Sequence, residues 1–165
     1  REETGEYFGE YAAQLVLMGA DLAIRNAEGI GRTQKDSVRT LVEALISDGV
    51  AAGRAGSSRP CSGSEHLFSH ALDLRSRRQA LHGEQCGVGA IMLAHLHGLD
   101  DERIRAGLKA AGAPTNASEL GVDREDLVEA LVVASELRPE RYTILNRVHL
   151  TPGEALDLAR TTGVI

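Results

Sequence analysis

Apolar residues recur at intervals of three and four along most of the chain, the period of an α-helix that buries one face. Tyr7, Phe8, Tyr11, Leu15, Met18, Leu22 and Ile24 mark a helical run from Gly5 to Ala27, with Gly19 a point where it is open to interruption. Gly29 and Gly31 then break the pattern. A second helix is predicted from near Thr33 through Val38, Leu41, Val42, Leu45, Ile46 and Val50, and Asp48-Gly49 offers a stop that the apolar pattern runs past. Ala51 to Ser64, rich in Gly, Ser, Arg and Ala, reads as a connector, in which Pro60 turns Arg59 away from helix and Ser62 or Ser64 can cap the next helix. Further helices are predicted over Glu65 to Leu74, His82 to Gly98, Asp101 to Ala111, Asp123 to Glu136 and Pro152 to Thr162. Asp123 and Thr151 are the expected caps, with Pro152 at a first helical position.

Alternating β-branched residues occur only around Tyr142 to Val148, after a turn expected at Arg138-Pro139-Glu140-Arg141. There is no βαβ rhythm, no GxGxxG after a strand and no internal repeat. The fold class is therefore all-α, a compact multi-helix array rather than a regular four-helix bundle.

With 165 residues, 42% of them hydrophobic and 25% charged, the chain has the size of one domain and the composition of a packed one. A net charge of -6 and 3% aromatics argue against a nucleic-acid partner. No apolar run reaches the roughly 20 residues that span a bilayer, so membrane insertion is not expected. Two cysteines, Cys61 and Cys86, form no CxxC pair, fit a reducing cytoplasmic setting and read as small buried hydrophobes. The opening Arg1-Glu2-Glu3-Thr4-Gly5-Glu6, without an initiator Met, reads as a cut inside a longer protein.

The candidate chemistry centres on histidine. His66 and His70 are four residues apart and share a helical face, an arrangement that can chelate a transition metal or simply sit on a solvated surface. His82 lies beyond a basic connector, Arg75, Arg77 and Arg78, and a neighbouring helix can bring it beside either one. A three-ligand site needs a further donor, for which Glu65, Glu84 and Asp73 are candidates; Glu65 and Glu84 equally suit the dipole of a helix start. Gly56-Ser57-Ser58-Arg59 combines hydroxyls, flexible backbone and a guanidinium ahead of a helix, which suits an anion or a solvated turn, but it lacks the spacing and Lys of a P-loop. Neither serine lies in a G-x-S-x-G elbow. His95 and His97 suit the exposed end of a helix, and His149 is isolated.

Longer strings carry more. The run from Gly56 to Asp73, GSSRPCSGSEHLFSHALD, with Ala80-Leu81-His82-Gly83-Glu84-Gln85 after it, closely resembles the sn-glycerol-1-phosphate dehydrogenase family. That family lies within the iron-containing alcohol dehydrogenase, glycerol dehydrogenase and dehydroquinate synthase superfamily. Gly112-Ala113-Pro114-Thr115, Glu119-Leu120-Gly121, the run from Arg138 to Leu145 and the closing Thr162-Gly163-Val164-Ile165 look like the same family, so the likeness extends from about Tyr7 to Ile165. The resemblance implies an NAD(P)-dependent reduction of dihydroxyacetone phosphate to sn-glycerol-1-phosphate, for the backbones of ether phospholipids. It implies two domains: an N-terminal nucleotide-binding domain, which this chain lacks, and a C-terminal helical metal and substrate domain, which residues 1–165 would form.

By motif, the ligands of a divalent metal, zinc or in some members nickel, would be His66 and His82, with the metal a Lewis acid on the substrate carbonyl. His70 would then contact the substrate or relay a proton, and Ser57, Ser58 and Arg59 would make polar contacts to the small phosphate substrate. The family's third ligand is an Asp of an upstream Gly-Asp element that no residue here matches, so this chain by itself is expected to be inactive. Within the motifs, Cys61 replaces a residue that is commonly Ala. A homo-oligomer is compatible with the family pattern. Two other readings remain: a cyclase like dehydroquinate synthase, against which the Gly-Ser-Ser-Arg-Pro and Arg-Pro-Glu-Arg-Tyr-Thr-Ile-Leu strings argue, and a stand-alone helical binding module.

Overall fold

A computed structural model describes residues 4–76 and 80–165. Arg77 and Arg78 of the basic connector lie outside the described residues. Among those described there are helices and connecting turns and no strand, so the protein is all-α. They divide into two compact units, 1–63 with 110–112, and 64–109 with 113–165.

In the first unit, α1 (Glu10–Arg25) packs along α3 (Lys35–Ala55), with the short α2 (Ala27–Gly31) between them in sequence. Helix α1 runs unbroken through Gly19, which is buried where it meets α3; a Cβ there would come 2.8 Å from Asp48 Oδ1. The long helices are separated around Gly29 and Gly31 as expected, but the intervening stretch forms the short helix α2, with Gly29 within it and Gly31 its last residue. Helix α3 also continues past the predicted connector start, ending at Ala55 where Gly56 takes a left-handed φ of 64° that releases the last carbonyls. A 3₁₀ turn, Arg59–Cys61, comes next. The buried positions of this unit's helices are small, namely Ala12, Gly19, Ala27, Ala44 and Ala51, while Tyr11, Leu17, Leu45 and Ile46 are exposed.

The second unit has the larger core. Helix α4 (Ser64–Arg75) turns Leu67, Phe68, Ala71 and Leu72 inward, and α5 (His82–Leu96) supplies Val88, Ile91 and Met92. Around them lie α6 (Asp101–Ala110), whose last residue belongs to the first unit, α7 (Ala117–Leu120), α8 (Arg124–Val133), α9 (Ile144–Val148) and α10 (Pro152–Thr161). Leu127 and Leu131 of α8 and Ala155 and Leu158 of α10 close the cluster. The predicted cap Asp123 stands at the start of α8, but its side chain makes no capping bond. The segment read as alternating, around Tyr142 to Val148, is instead the one-turn helix α9. The Asn146 side-chain carbonyl accepts the Thr143 backbone N–H there at 2.8 Å, and local capping overrides the β-branched pattern.

Helices α4 and α5 run in opposite directions and approach closely at Gly89. A Cβ at that position would lie 2.7 Å from Phe68 Cδ1 and 3.5 Å from the Glu65 Cα. Phe68 is fully buried and has no room to retreat. Gly89→Ala is therefore expected to destabilise the protein by about 1–3 kcal/mol through overpacking, read as a lower urea midpoint at unchanged slope.

Helix α10 opens with a reciprocal cap. The Thr151 hydroxyl accepts the Glu154 N–H at 3.3 Å, and the Glu154 carboxylate accepts the Thr151 N–H at 2.8 Å. The bonds from the Thr151 backbone and then its hydroxyl hold the Glu154 carboxyl below its usual range. Because the folded value is the lower one, this contribution is present above about pH 4.3 and disappears as pH falls through the depressed folded value. Thr151→Ala should cost about 1 kcal/mol at pH 7, and Glu154→Gln should flatten the acid limb of stability against pH in urea titrations.

Candidate metal centre

The outward stripe of α4 carries His66, His70 and Asp73, spaced i, i+4 and i+7, opposite its apolar face. The first turns of α5 present His82 and Cys86 at i and i+4. Packing of the two helices brings these stripes together. The His66 and His82 rings meet edge to face with centroids 5.1 Å apart, and His70 stacks on His82 at 5.5 Å. One donor atom from each of His66, His82 and Cys86 lies within 4.8 Å of the others, a group able to hold a metal ion. The HxxxH pair considered from spacing, His66 with His70, is thus joined by His82 from the next helix, and His70 lies outside this donor group.

Hydrogen bonds orient the two imidazoles. His66 Nδ1 lies 2.8 Å from the Glu65 carboxylate, which can only accept, so Nδ1 carries a proton and in the neutral ring the lone pair is on Nε2. His82 is set by a longer chain that crosses between the helices, buried at Ser69 and Gln85 and exposed at its ends. Asp73 Oδ1 accepts from Gln85 Nε2 at 2.8 Å, which turns the Gln85 carbonyl toward Ser69. The Ser69 hydroxyl has one proton and gives it to that carbonyl. Its oxygen then accepts from His82 Nδ1, 2.7 Å away, and in the neutral ring that leaves the lone pair on Nε2, 3.6 Å from Cys86 Sγ. Of the candidate third donors from sequence, Glu65 and Asp73 are therefore engaged in orienting other side chains, and Glu84 stands in the first turn of α5.

The electrostatics separate the remaining groups. Burial, then the neighbouring positive charges of His82, Arg138 and His66, push the His70 imidazole below its ordinary range, against the weaker pull of Asp73, so it is the neutral form that persists. Cys86 is half-buried and faces a histidine, in contrast to the inert buried hydrophobe expected; burial pushes its thiol up to about 11, with Glu65 and Asp73 adding to the shift. Cys61, in the first unit, is half-buried and donates to the Asp48 carbonyl at 3.4 Å.

The predicted anion-binding turn also belongs to the first unit. Ser57 Oγ accepts the Arg59 N–H at 3.3 Å, and Arg59 Nη2 pairs with Glu6 Oε2 at 3.0 Å. Arg75 of the connector pairs with Glu129. His95, His97 and His149 are exposed, and His95 Nδ1 lies 3.3 Å from Asp101. No helix among the described residues is long and apolar enough to cross a membrane.

An all-α array in which histidines of two adjacent helices converge is a helical domain with a cation-competent cluster. No protein-family model matches the chain. Curated relatives do. A glycerol-1-phosphate dehydrogenase [NAD(P)+] of Thermococcus sibiricus is 57% identical over 161 residues, 98% of this chain and 46% of the relative. Proteins of the same name from Cenarchaeum symbiosum, 56% identical over 164 residues, and Methanosarcina acetivorans, 56% over 160, cover 99% and 97% of this chain and 46% and 45% of those relatives. Over nearly all of its own length the chain is similar to these glycerol-1-phosphate dehydrogenases, and it spans about half the length of the curated relatives it matches.

The hydrogen-bonded chain from Asp73 to His82 invites a direct test. Ser69 and Gln85 are fully buried, so Ser69→Ala strands the Gln85 carbonyl. The expected cost is about 1–3 kcal/mol of stability, read by urea unfolding, and the His82 Nδ1 proton signal in NMR should lose its slow exchange.

Proposed function

We propose that this chain is the C-terminal helical part of an NAD(P)-dependent sn-glycerol-1-phosphate dehydrogenase. It would act in the cytoplasm on a small phosphate substrate, reducing dihydroxyacetone phosphate to sn-glycerol-1-phosphate for ether-phospholipid backbones. The identity to relatives bearing that name, over nearly all of this chain, carries the reading. The convergence of His66 and His82, the two histidines that the motifs single out, supports it.

The donor set suits a divalent cation. In their neutral form the two imidazoles each have one nitrogen committed to a hydrogen bond and keep the other nitrogen's lone pair. Carboxylate behind imidazole, as in Glu65 behind His66, raises ligand basicity and fixes the ring. His66 and His82 would hold the ion, with zinc the better match to imidazole nitrogen and nickel the alternative. When bound, such an ion polarises a carbonyl oxygen and favours addition of hydride to the carbon.

The other residues bind and position. In the net reaction a hydride from NADH or NADPH reaches the carbonyl carbon and a proton reaches its oxygen. The nicotinamide would be carried by a nucleotide-binding domain outside this sequence. His70, whose imidazole burial pushes below its ordinary range, stacks on His82 and would orient a substrate hydroxyl and hold the relayed proton. Ser57, Ser58 and Arg59 are assigned polar contacts to substrate on their motif. For Arg59 this requires exchanging the Glu6 carboxylate for the substrate's anion.

In the intact enzyme, His66→Ala and His82→Ala should each abolish metal-dependent turnover and lower bound metal per protein. His70→Ala should retain metal and lose about 10²–10⁴-fold in kcat. Unchanged turnover and metal content in either ligand variant would refute the assignment. Steady-state assays with dihydroxyacetone phosphate, paired with metal analysis, make both measurements, and a parallel assay for cyclase activity discriminates the dehydroquinate synthase-like alternative.

A further inference from the structure

We propose that the apolar face of α3 centred on Ile46 is the seat of the half of the intact protein that precedes Arg1. The inference rests on the reading of this chain as the C-terminal part of a longer enzyme, and adds to it the surface on which the remainder packs.

The residue pattern of α3 calls for burial on more than one side. Ala44 and Ala51, seven residues apart, are its buried positions, and the Ala44 carbonyl lies where Gly19 of α1 approaches. Val42, Ile46 and Val50 recur every four residues on the roughly opposite side, with Leu45 beside them. All four are exposed, Ile46 by 63% and Leu45 by 60%, and no charged residue interrupts the stripe they form. A helix apolar on two sides is one that neighbours cover on two sides. Gly49 and Gly53 continue the same face. Neither has a positive φ, and a Cβ on either would meet nothing within 4 Å among the described residues. No turn and no close neighbour in this chain therefore requires glycine there, although glycine within a helix costs stability. A backbone laid into the groove they leave beside the Val42, Ile46 and Val50 ridge accounts for both.

Connectivity identifies the occupant. On the reading above, about half of the intact protein lies ahead of Arg1. It joins the α1–α3 pair through Tyr7, Phe8 and Tyr11, whose side chains are exposed close to the point of attachment. A tethered segment meets the adjoining surface at an effective concentration of about millimolar, an advantage that a second copy of the chain lacks. The acidic Glu10, Asp21, Asp36 and Glu43 on the same two helices disfavour an anionic lipid surface.

The test uses the protein as its gene encodes it. Hydroxyl-radical labelling of the wild type should mark Leu45 and Ile46 no more than the core residues Leu127 and Leu131. A photoreactive benzoylphenylalanine in place of Leu45 or Ile46 should cross-link within a single chain, to peptides upstream of Arg1. Gly49→Leu, which would favour an uncovered helix, should lower the melting temperature. Cross-links that join two chains, cross-links confined to residues 1–165, or no cross-link at either position overturn the inference. So do free labelling of Leu45 and Ile46 in the wild type and a Gly49→Leu variant that melts higher. None of these outcomes bears on turnover of dihydroxyacetone phosphate, which decides the dehydrogenase reading separately. A protein that forms the expected cross-links but does not reduce that substrate loses the dehydrogenase reading alone.

Discussion

The close approach of α4 and α5 at Gly89 is the constraint on which the candidate site depends. Only a residue without a Cβ lets the Glu65 backbone and the Phe68 ring settle against α5. That approach puts two stripes of polar side chains, spaced along their own helices by the 3.6-residue period, within reach of each other. The apolar faces of the same helices supply the driving force, since Phe68, Leu72, Ile91 and Met92 leave water completely. Chemistry and core are thus two sides of one helix pair.

The polar chain between those helices is buried at Ser69 and Gln85, where a missing link would be costly. Each group in it can be assigned a single role: Asp73 accepts, Gln85 donates with its amide and accepts with its carbonyl, and Ser69 donates to Gln85 and accepts from His82. A histidine left to choose between tautomers would spend part of its population with the wrong nitrogen protonated. Here a carboxylate three residues removed in the relay decides the matter for His82, while Glu65 decides it directly for His66.

Much of this was legible in the residue pattern alone. The helical period marked α1, α3, α4, α5, α6, α8 and α10, because each buries a stripe of residues at the spacing that pattern reading detects. It failed where local geometry or tolerance of glycine decided the outcome: α2 accommodates Gly29 and Gly31, α3 extends to Ala55 through a polar, glycine-rich stretch, and α9 hides in a β-branched segment whose cap nucleates a turn. His66, His70 and His82 stood out from motif strings. Cys86 did not, although it bears the same four-residue relation to His82 that drew attention to His66 and His70, because a lone cysteine reads first as a small hydrophobe. The roles of Ser69 and Gln85 were invisible for a different reason: their hydrogen bonds cross between helices, and no periodicity encodes a partner's register.

The small residues at the heart of the first unit have a consequence for motion. Ala12, Gly19, Ala44 and Ala51 let α1 and α3 lie close together but take little apolar area out of water, whereas α4 and α5 are locked by aromatic and branched side chains. Cooperative opening should therefore begin in the first unit, with backbone amides of α1 and α3 exchanging their hydrogens at lower free energy than those of α4 and α5. The histidine cluster belongs to the unit with the larger apolar core, where slower exchange is expected to keep the donor atoms in their relative positions.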